Sequence, residues 1–281
     1  MSGVCIPYGQ GNAILAMSMI ILLHSSKSMR SPAPSQQYHA PQLQAKAIEL
    51  DTYLKTLSPT VLARTMKVSM PLAQKTHQLI AGWQTTEQQS LAIDSFMGDI
   101  YSGLQAHELS KSNRDYADRV LYILSGLYGI LRPYDGIHPY RCEMGYRFAG
   151  PKYASLYKFW GKSVADCLAS DGLIVDLAAV EYSKVVTPFV DNQRIVAPRF
   201  LTVNPKTNEP VLVIVHTKIA RGAFARWLIQ SRTTERNKLQ DFQELGYRYN
   251  PGLSQPAQPT FVCNKFGGIG LSTRLLNDHN S

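Results

Sequence analysis

Five charged residues have the types that acid–base chemistry on an anionic substrate requires. A carboxylate beside lysines suits general acid–base catalysis, and an arginine can hold a phosphate or carboxylate group. The five are Lys27, Arg141, Glu143, Glu181 and Lys184. Surface ion pairs use the same residue types and imitate active sites. If the five meet in a deep pocket at strand ends, they predict an enzyme acting on a phosphorylated or carboxylated small molecule, with Lys27, Glu143, Glu181 and Lys184 as its catalytic residues.

A basic segment at 218–232 indicates a different chemistry, the binding of phosphate groups. Wound as a helix, it places Lys218, Arg221 and Arg232 on one side. The opposite arc is apolar and consists of Ile219, Ala220, Ala223, Phe224 and Trp227. No acidic residue occurs from Lys218 to Thr234, whereas solvated helix faces commonly mix both signs. The pattern predicts a basic stripe that faces solvent, with an ordinary solvated face as the alternative.

A second basic group lies in the segment 125–151, which is rich in glycine, proline and tyrosine. Its cations, with the lysine that follows, are Arg132, Arg141, Arg147 and Lys152, and the tyrosines between them are Tyr128, Tyr134, Tyr140 and Tyr146. Interleaved cations and aromatic rings can bind phosphates while the rings stack on bases. Tyrosines at the wet edge of a core give the same pattern, so both interpretations stay open.

Composition favours one folded domain with polyanionic partners. The 281 residues are 44% hydrophobic and carry 29 Lys and Arg against 20 Asp and Glu, a formal net charge of +9. Such a charge concentrates nucleic acid or phosphorylated ligands near the surface. The cysteines Cys5, Cys142, Cys167 and Cys263 have no regular spacing, which favours buried residues in a reducing cytoplasm. No metal-binding spacing or cofactor motif occurs, so neither a metal nor a cofactor is predicted.

The N-terminal region carries an apolar stretch that resembles a signal peptide only in part. Ala13–Leu23 has no Lys or Arg before it and is too short to span a bilayer. The run from Met19 to Leu23 predicts a buried first strand. We therefore expect residues 1–18 to be an extension of a single domain covering 19–281, in a cytoplasmic protein without a membrane partner.

The remaining patterns predict an α/β fold, a mixed sheet with surrounding helices. Apolar residues at three- and four-residue spacing or on one helical side predict helices near 43–57, 113–125, 152–168, 219–231 and 235–242, and Ser58-Pro59 predicts the start of another. Short apolar runs predict strands at 173–177, 194–197, 200–203 and 211–217. Turn-forming residues at 204–208 predict a hairpin between the last two strands.

Five ordered segments resemble those of the YaaA peroxide-stress family. They are Gly98-Asp-Ile-Tyr-Ser-Gly-Leu-Gln105, Leu124-Ser-Gly-Leu-Tyr-Gly-Ile-Leu-Arg-Pro133, Pro139-Tyr-Arg-Cys-Glu-Met-Gly145, Leu156-Tyr-Lys-Phe-Trp-Gly161 and Ala220-Arg-Gly222. The resemblance implies a role in limiting free iron under hydrogen peroxide. It also implies DNA binding, a positively charged cleft and a helix-hairpin-helix-like element in an unusual α/β fold.

Two segments depart from the family pattern. His24-Ser-Ser-Lys-Ser28 lacks the proline found there, and Asp176-Leu-Ala-Ala179 replaces Asn-Leu-Ala-Ser. If these positions line a pocket, its chemistry has changed, and a diverged paralogue with another ligand stays open.

The leading hypothesis is a non-enzymatic, structure-selective DNA-binding protein of the peroxide response, with no protein partner implied. Its phosphate contacts would come from Lys27, Arg132, Arg141, Arg147, Lys184, Lys218, Arg221 and Arg232. Such contacts position a protein on DNA without reading its sequence, so a long open basic groove would favour this hypothesis over the enzyme.

Overall fold

The buried run that begins at Met19 forms the central strand of the main sheet. A computed structural model of the chain describes residues 19–35, 37–83 and 89–268. The proposed extension 1–18 and Cys5 lie outside the described residues. The first strand, β1, covers Met19–His24 and has both faces buried, as expected for a parallel strand covered on both sides.

Strands of the described residues form three sheets. They are β1, β2 Ser90–Leu91, β3 Leu121–Ser125, β4 Gly129–Leu131, β5 Gly136–Ile137, β6 Leu173–Asp176, β7 Ile195–Val196, β8 Arg199–Val203, β9 Pro210–Val211, β10 Tyr247–Tyr249 and β11 Thr260–Cys263. The main sheet has the order β4-β3-β1-β6-β7, with only β4 antiparallel to its neighbour. A second sheet has the order β10-β11-β8-β9, and β2 pairs with β5.

Helices surround these sheets. The α-helices of the described residues are α1 Gln44–Lys55, α2 Pro59–Met66, α3 Met70–Ala81, α4 Ala92–Ser95, α5 Asp99–Leu104, α6 Lys111–Val120, α7 Leu156–Trp160, α8 Val180–Ser183 and α9 Ile214–Ser231. Ser58 caps α2 as predicted, because its hydroxyl accepts the Val61 N–H and Pro59 occupies the first turn. The mixed α/β architecture is confirmed, while the helix-hairpin-helix-like element stays a prediction.

Two predicted elements change type partway along. The strand predicted at 211–217 is wrong beyond Val211, because α9 begins at Ile214 and the apolar side chains of Leu212, Ile214 and Val215 are exposed. The helix predicted at 113–125 ends at Val120, where β3 begins and pairs with β1. Short apolar runs do not distinguish a strand from a helix, and tertiary pairing decides between them.

Two other helix predictions are longer than the structure allows. The region 152–168 contains only α7 followed by two 3₁₀ turns, Gly161–Ser163 and Ala165–Cys167, because Gly161 has a positive φ of 51°. The region 235–242 is a 3₁₀ helix, Arg236–Asp241. The predicted hairpin at 204–208 is confirmed by the antiparallel pairing of β8 with β9.

Close packing of α5 against α9 fixes the position of the basic segment. A Cβ atom on Gly103 would lie 2.0 Å from the carbonyl oxygen of Ile219, and one on Gly222 would lie 1.8 Å from that of Ile100. These helices therefore meet backbone to backbone, which only glycine permits. Gly103 and Gly222 belong to two of the five family-like segments, which gives those segments a structural role.

One hydrophobic core connects the main sheet, the second sheet and the helices, so the described residues form a single domain. Phe224 is fully buried in it, whereas Trp227, expected there, packs only partly buried against Phe224 and Phe242. Cys142, Cys167 and Cys263 are buried as predicted. Burial raises the pKa of the Cys142 thiol, which keeps it in the unreactive protonated form.

Candidate functional site

A cavity of about 650 Å³ opens beside the carboxyl ends of β1 and β6. In the main sheet β3 lies on one side of β1, whereas β6, which comes later in the chain, lies on the other side. The direction in which strands are added to the sheet therefore reverses between β1 and β6. Ligands of open α/β sheets bind at this kind of reversal, outside the carboxyl ends of the strands. The segment after β1, the start of α5, the start of α8 and the first turns of α9 line the cavity.

A hydrogen-bond chain joins the cavity floor to the segment that carries Glu143. The Ser25 hydroxyl donates to the Tyr182 hydroxyl at 3.4 Å, and Tyr182 donates to Oε2 of Glu143 at 2.8 Å. Glu143 lines the cavity although it is only 7% exposed. This arrangement fixes the orientation of a buried carboxyl group at a ligand-sized space.

The environment of Glu143 changes its acidity. Burial raises the pKa of Glu143, the hydrogen bond from Tyr182 and the Lys27 charge oppose that rise, and the Glu181 charge adds to it. Burial also raises the pKa of Tyr182, whose phenol stays protonated and continues to donate. A carboxyl group with a raised pKa can exchange a proton closer to neutral pH than an exposed glutamate.

His24 ends β1, lines the cavity and is close enough to α9 for the charges of Arg221 and Lys218 to act on it. Its Nδ1 accepts a hydrogen bond from the Ala179 N–H at 3.1 Å, and its ring stacks on Tyr182 with 4.8 Å between centroids. Burial, aided by the charges of Arg221 and Lys218, lowers the pKa of His24 to about 3. The imidazole is therefore neutral at physiological pH and carries its proton on Nε2.

Asp176, at the end of β6, faces the Arg221 side chain of α9. Burial raises the pKa of Asp176, while its backbone and side-chain hydrogen bonds and the Arg221 charge oppose the rise. Burial lowers the pKa of Arg221, and Asp176 opposes that change. The Arg221 side chain is partly buried, and its Nε atom has no hydrogen-bond partner among residues 19–35, 37–83 and 89–268. It is therefore only partly open to solvent, unlike the fully solvent-facing stripe predicted from the helix pattern.

Comparisons with known proteins agree with this architecture. The family model described as "Peroxide stress protein YaaA" matches residues 19–253. The chain belongs to this family. A UPF0246 protein of Salinispora tropica is 60% identical over 259 residues, which cover 91% of this chain and 98% of that protein. UPF0246 proteins of Burkholderia mallei and Burkholderia thailandensis are each 35% identical over 263 residues, covering 89% of this chain and all of theirs.

Two of the five YaaA-like segments line the cavity. The segment from Gly98 begins α5 and contributes Gly98, Asp99 and Tyr101 to the lining, and the segment 139–145 contributes Glu143. Both segments that depart from the family pattern also reach it, since Ser26, Lys27 and Ser28 follow His24 there and Ala179 precedes Glu181. The condition set by the sequence analysis, that these positions line a pocket, is therefore met.

Three of the five acid–base candidates meet in the cavity. Lys27, Glu143 and Glu181 line it, and Arg141 donates from Nη1 to the Lys27 carbonyl at 3.4 Å. Oε1 of Glu181 accepts the Gly145 N–H at 2.8 Å. Lys184 follows α8 as an exposed residue and does not line the cavity. The predicted convergence is therefore partial.

Several predicted phosphate-binding cations have intramolecular partners instead. Arg132 pairs with the fully buried Asp135 at 2.8 Å, and Lys152 pairs with Glu49 at 2.8 Å. Arg232 lies just beyond α9, where it donates to Ser112 and covers the Tyr116 ring. Lys218, Arg221 and Arg232 therefore form no single solvent-facing stripe.

Two of the four tyrosines of the segment 125–151 belong to the core, while Tyr134 and Tyr146 are partly exposed. Tyr128 and Tyr140 are 2% and 6% exposed, and the Tyr128 hydroxyl accepts the Trp83 Nε1–H at 2.7 Å. Tyr128 and Tyr140 are therefore core residues, the second of the two interpretations left open, and their rings offer no stacking surface to bases.

The sequence analysis gave no role in the site to His24, Ser25, Tyr101, Asp176 or Tyr182. Two signals pointed to His24 and Asp176, because each begins a segment that departs from the family pattern and each ends a strand at the reversal in the sheet. No group of three or more His, Cys, Asp or Glu side chains in the described ranges is arranged to hold a metal ion. The described helices also include none with the length and apolar character needed to cross a membrane.

Proposed function

We propose that this member of the YaaA peroxide-stress family binds DNA through exposed cations around the mouth of the cavity. The observation that carries the proposal is that Lys27 and Lys218 are exposed, line the same cavity and have no carboxylate at ion-pair distance within residues 19–35, 37–83 and 89–268. Cations held without acidic partners remain available to phosphate groups.

Two more exposed cations extend this surface, which we call the basic rim and define as Lys27, Arg147, Lys184 and Lys218. Lys184 follows α8 directly, and Arg147 is close enough to affect the phenol of Tyr157, whose hydroxyl donates to the Glu181 carbonyl. Neither has a carboxylate at ion-pair distance among the described residues. A rim around a concave site fits bent, bulged or branched DNA better than a straight duplex.

The net charge of +9 supports rapid, salt-dependent association with DNA. Contacts from lysines to phosphates fix position and carry no sequence information, so the binding selects DNA structure rather than sequence. We place this activity in the cytoplasm and, on the family resemblance, connect it with the limitation of free iron under peroxide. A strain that lacks the protein should then hold more chelatable iron and more DNA damage after peroxide treatment, and unchanged iron and survival would contradict that link.

Charge reversal tests the DNA-binding proposal. Lys27→Glu with Lys218→Glu should weaken binding to duplex, bulged and junction DNA alike, because each substitution replaces an attraction with a repulsion. Lys75→Glu is the matched control, since Lys75 is an exposed lysine of α3 that does not line the cavity. If both variants fold and bind DNA as the wild type does, the basic rim is not the DNA site.

A second candidate function is an enzyme that acts on a phosphorylated or carboxylated small molecule. The observation that favours it is the buried Glu143, oriented by Tyr182 and placed beside Lys27 in one cavity. A carboxyl group of raised pKa next to a lysine suits proton transfer to a bound substrate. Turnover that is lost in Glu143→Gln but retained in Lys184→Ala would establish this function.

A further inference from the structure

We propose that the cavity receives a single nucleotide unit, with its base against Glu143 and its phosphate on Lys27 and Lys218. The proposal deepens the proposed DNA-binding function, on which it rests, by naming the chemical unit that enters the site. The unit can come from an unpaired nucleotide of a DNA strand or from a free mononucleotide.

The cavity has the size and surface of a heterocycle site. Its volume of about 650 Å³ falls in the range of small-molecule pockets. Met97, Ile100 and Val215 provide apolar walls, which suit the two faces of a flat ring. Polar side chains, among them Ser25, Glu143 and Tyr182, share the lining and can hydrogen-bond to the edge of a ring.

Glu143 presents one open oxygen to that ring edge. The Tyr182 hydrogen bond occupies Oε2, which leaves Oε1 to accept a hydrogen bond. The amino and imino N–H groups of bases are the donors that a glutamate accepts, and extruded bases are recognised by hydrogen bonds to this edge. Because Ser25 donates to Tyr182 and Tyr182 donates onward, the direction of the hydrogen-bond chain is fixed.

The charge distribution disfavours a compact anion beside Glu143. The lining includes Glu143, Glu181 and Asp99 besides the two lysines, so a compact phosphate or carboxylate placed there would meet carboxyl groups as well as cations. A nucleotide separates the two requirements, because its base carries the donor edge and its phosphate stays at the exposed lysines. The buried Glu143 and the exposed lysines are then both used by one ligand.

The route of entry explains why DNA structure would matter. A base inside a duplex cannot reach a cavity, whereas an unpaired base in a bulge is extruded at lower cost. The basic rim would hold the flanking phosphates while the unpaired base enters. Selectivity for bulged DNA over perfect duplex follows without any reading of sequence.

The test uses the full chain and duplexes with a single-nucleotide bulge of 2-aminopurine, whose fluorescence rises when it leaves the base stack. A duplex with an abasic bulge provides the DNA control, and adenosine, guanosine, cytidine and thymidine 5′-monophosphates are titrated separately by calorimetry. The variants are Glu143→Gln and Val215→Trp. Leu253→Trp is the matched control, because Leu253 is an exposed apolar residue that does not line the cavity.

The wild type should raise the 2-aminopurine fluorescence several-fold and prefer this bulge to the abasic one. Glu143→Gln should lower the affinity for the bulge by about fivefold or more, the lower end of a lost base contact. The oxygen of the introduced amide would accept from Tyr182, so its NH₂ group would face the donor edge of the base. Val215→Trp should abolish the fluorescence rise by filling the cavity, and Leu253→Trp should leave it unchanged.

The fluorescence and calorimetry measurements together distinguish an extruded nucleotide from a free mononucleotide. They also distinguish failure of the nucleotide proposal from failure of the DNA-binding function. A fluorescence rise that both cavity variants suppress supports an extruded nucleotide, and mononucleotide binding that both variants suppress supports a free one. If neither occurs while DNA still binds with its salt dependence intact, the nucleotide proposal is overturned and the DNA-binding function survives. If no DNA form binds, the DNA-binding function fails, and the mononucleotide titration alone decides the cavity.

Discussion

The Tyr182 hydroxyl donates a 2.8 Å hydrogen bond to Oε2 of Glu143, which connects α8 to the segment 139–145 across the cavity. Both side chains are buried, so the bond is shielded from water. A buried carboxyl group that loses its donor has no solvent to replace it. The geometry of the site and the stability of this part of the fold therefore depend on the same contact.

Tyr182→Phe should lower the free energy of unfolding by about 1–3 kcal/mol at neutral pH, because it leaves buried Glu143 without its donor. The folded pKa of Glu143 is already raised, so its stabilising contribution falls as the pH rises above the unfolded value. Removing the donor should raise the folded pKa of Glu143 further, so the difference in unfolding free energy between variant and wild type should grow as the pH rises above about 4.5. Urea denaturation across this range measures it.

Tyr157→Phe is the control for the loss of a phenol. Tyr157 donates at 2.8 Å to the Glu181 carbonyl from a partly exposed position, so water can replace its hydroxyl. An equal and pH-independent loss in both variants would show that the Tyr182 bond has no special relation to Glu143.

His24 should make the protein less stable in mild acid. Its folded pKa of about 3 lies below the unfolded value of 6.5, so the unfolded chain takes up a proton that the folded chain refuses. The stability from neutral His24 is complete above about pH 6.5 and is lost as the pH falls toward 3. His24→Asn, whose side-chain oxygen can accept the Ala179 N–H in place of Nδ1, should flatten this part of the curve.

Urea denaturation of the wild type and His24→Asn at pH 4.5, 5.5, 6.5 and 7.5 checks the prediction. Carboxylates titrate in both proteins, so the difference between the two curves isolates the histidine. Parallel curves over this window would show that His24 protonates equally well in the folded and unfolded states.

The contact between α5 and α9 should tolerate no side chain at Gly222. The added Cβ of Gly222→Ala would lie 1.8 Å from the Ile100 carbonyl oxygen, so one helix must shift. We expect a loss of about 1–3 kcal/mol or more in the free energy of unfolding. Gly252→Ala serves as the control, because its Cβ would meet only Asn250 Oδ1, at 3.5 Å. Thermal denaturation of the pair measures the effect, and equal midpoints would contradict the close packing.

Much of the scaffold could be predicted because local chemistry and tertiary structure agree there. The run beginning at Met19 is apolar on both faces and forms a central parallel strand, and Ser58-Pro59 carries its own helix-start signal. The predictions for the segments beginning at Leu121 and Ile214 were wrong because tertiary structure decides their conformation. Leu121 begins a strand that pairs with β1, and Ile214 begins the helix that packs on α5. Neither influence is visible in a window of ten residues.

The site was predicted in part for a related reason. Residue types identified Lys27, Glu143 and Glu181, which do meet in the cavity. Spacing alone could not show that Arg132 pairs with the buried Asp135 or that Lys152 pairs with Glu49 of α1, since each pair depends on the fold. Lys27 and Lys218 stay available because the fold places no carboxylate at ion-pair distance from them among the described residues.

The most direct test of the DNA-binding account is the salt dependence of binding. The logarithm of the association constant for bulged DNA should fall linearly with the logarithm of the salt concentration in the wild type. In the Lys27→Ala and Lys218→Ala double variant the slope should become shallower by about two units, about one for each lost phosphate contact. Lys75→Ala should keep the wild-type slope. A folded double variant whose slope and affinity equal those of the wild type would contradict the basic rim as the DNA site.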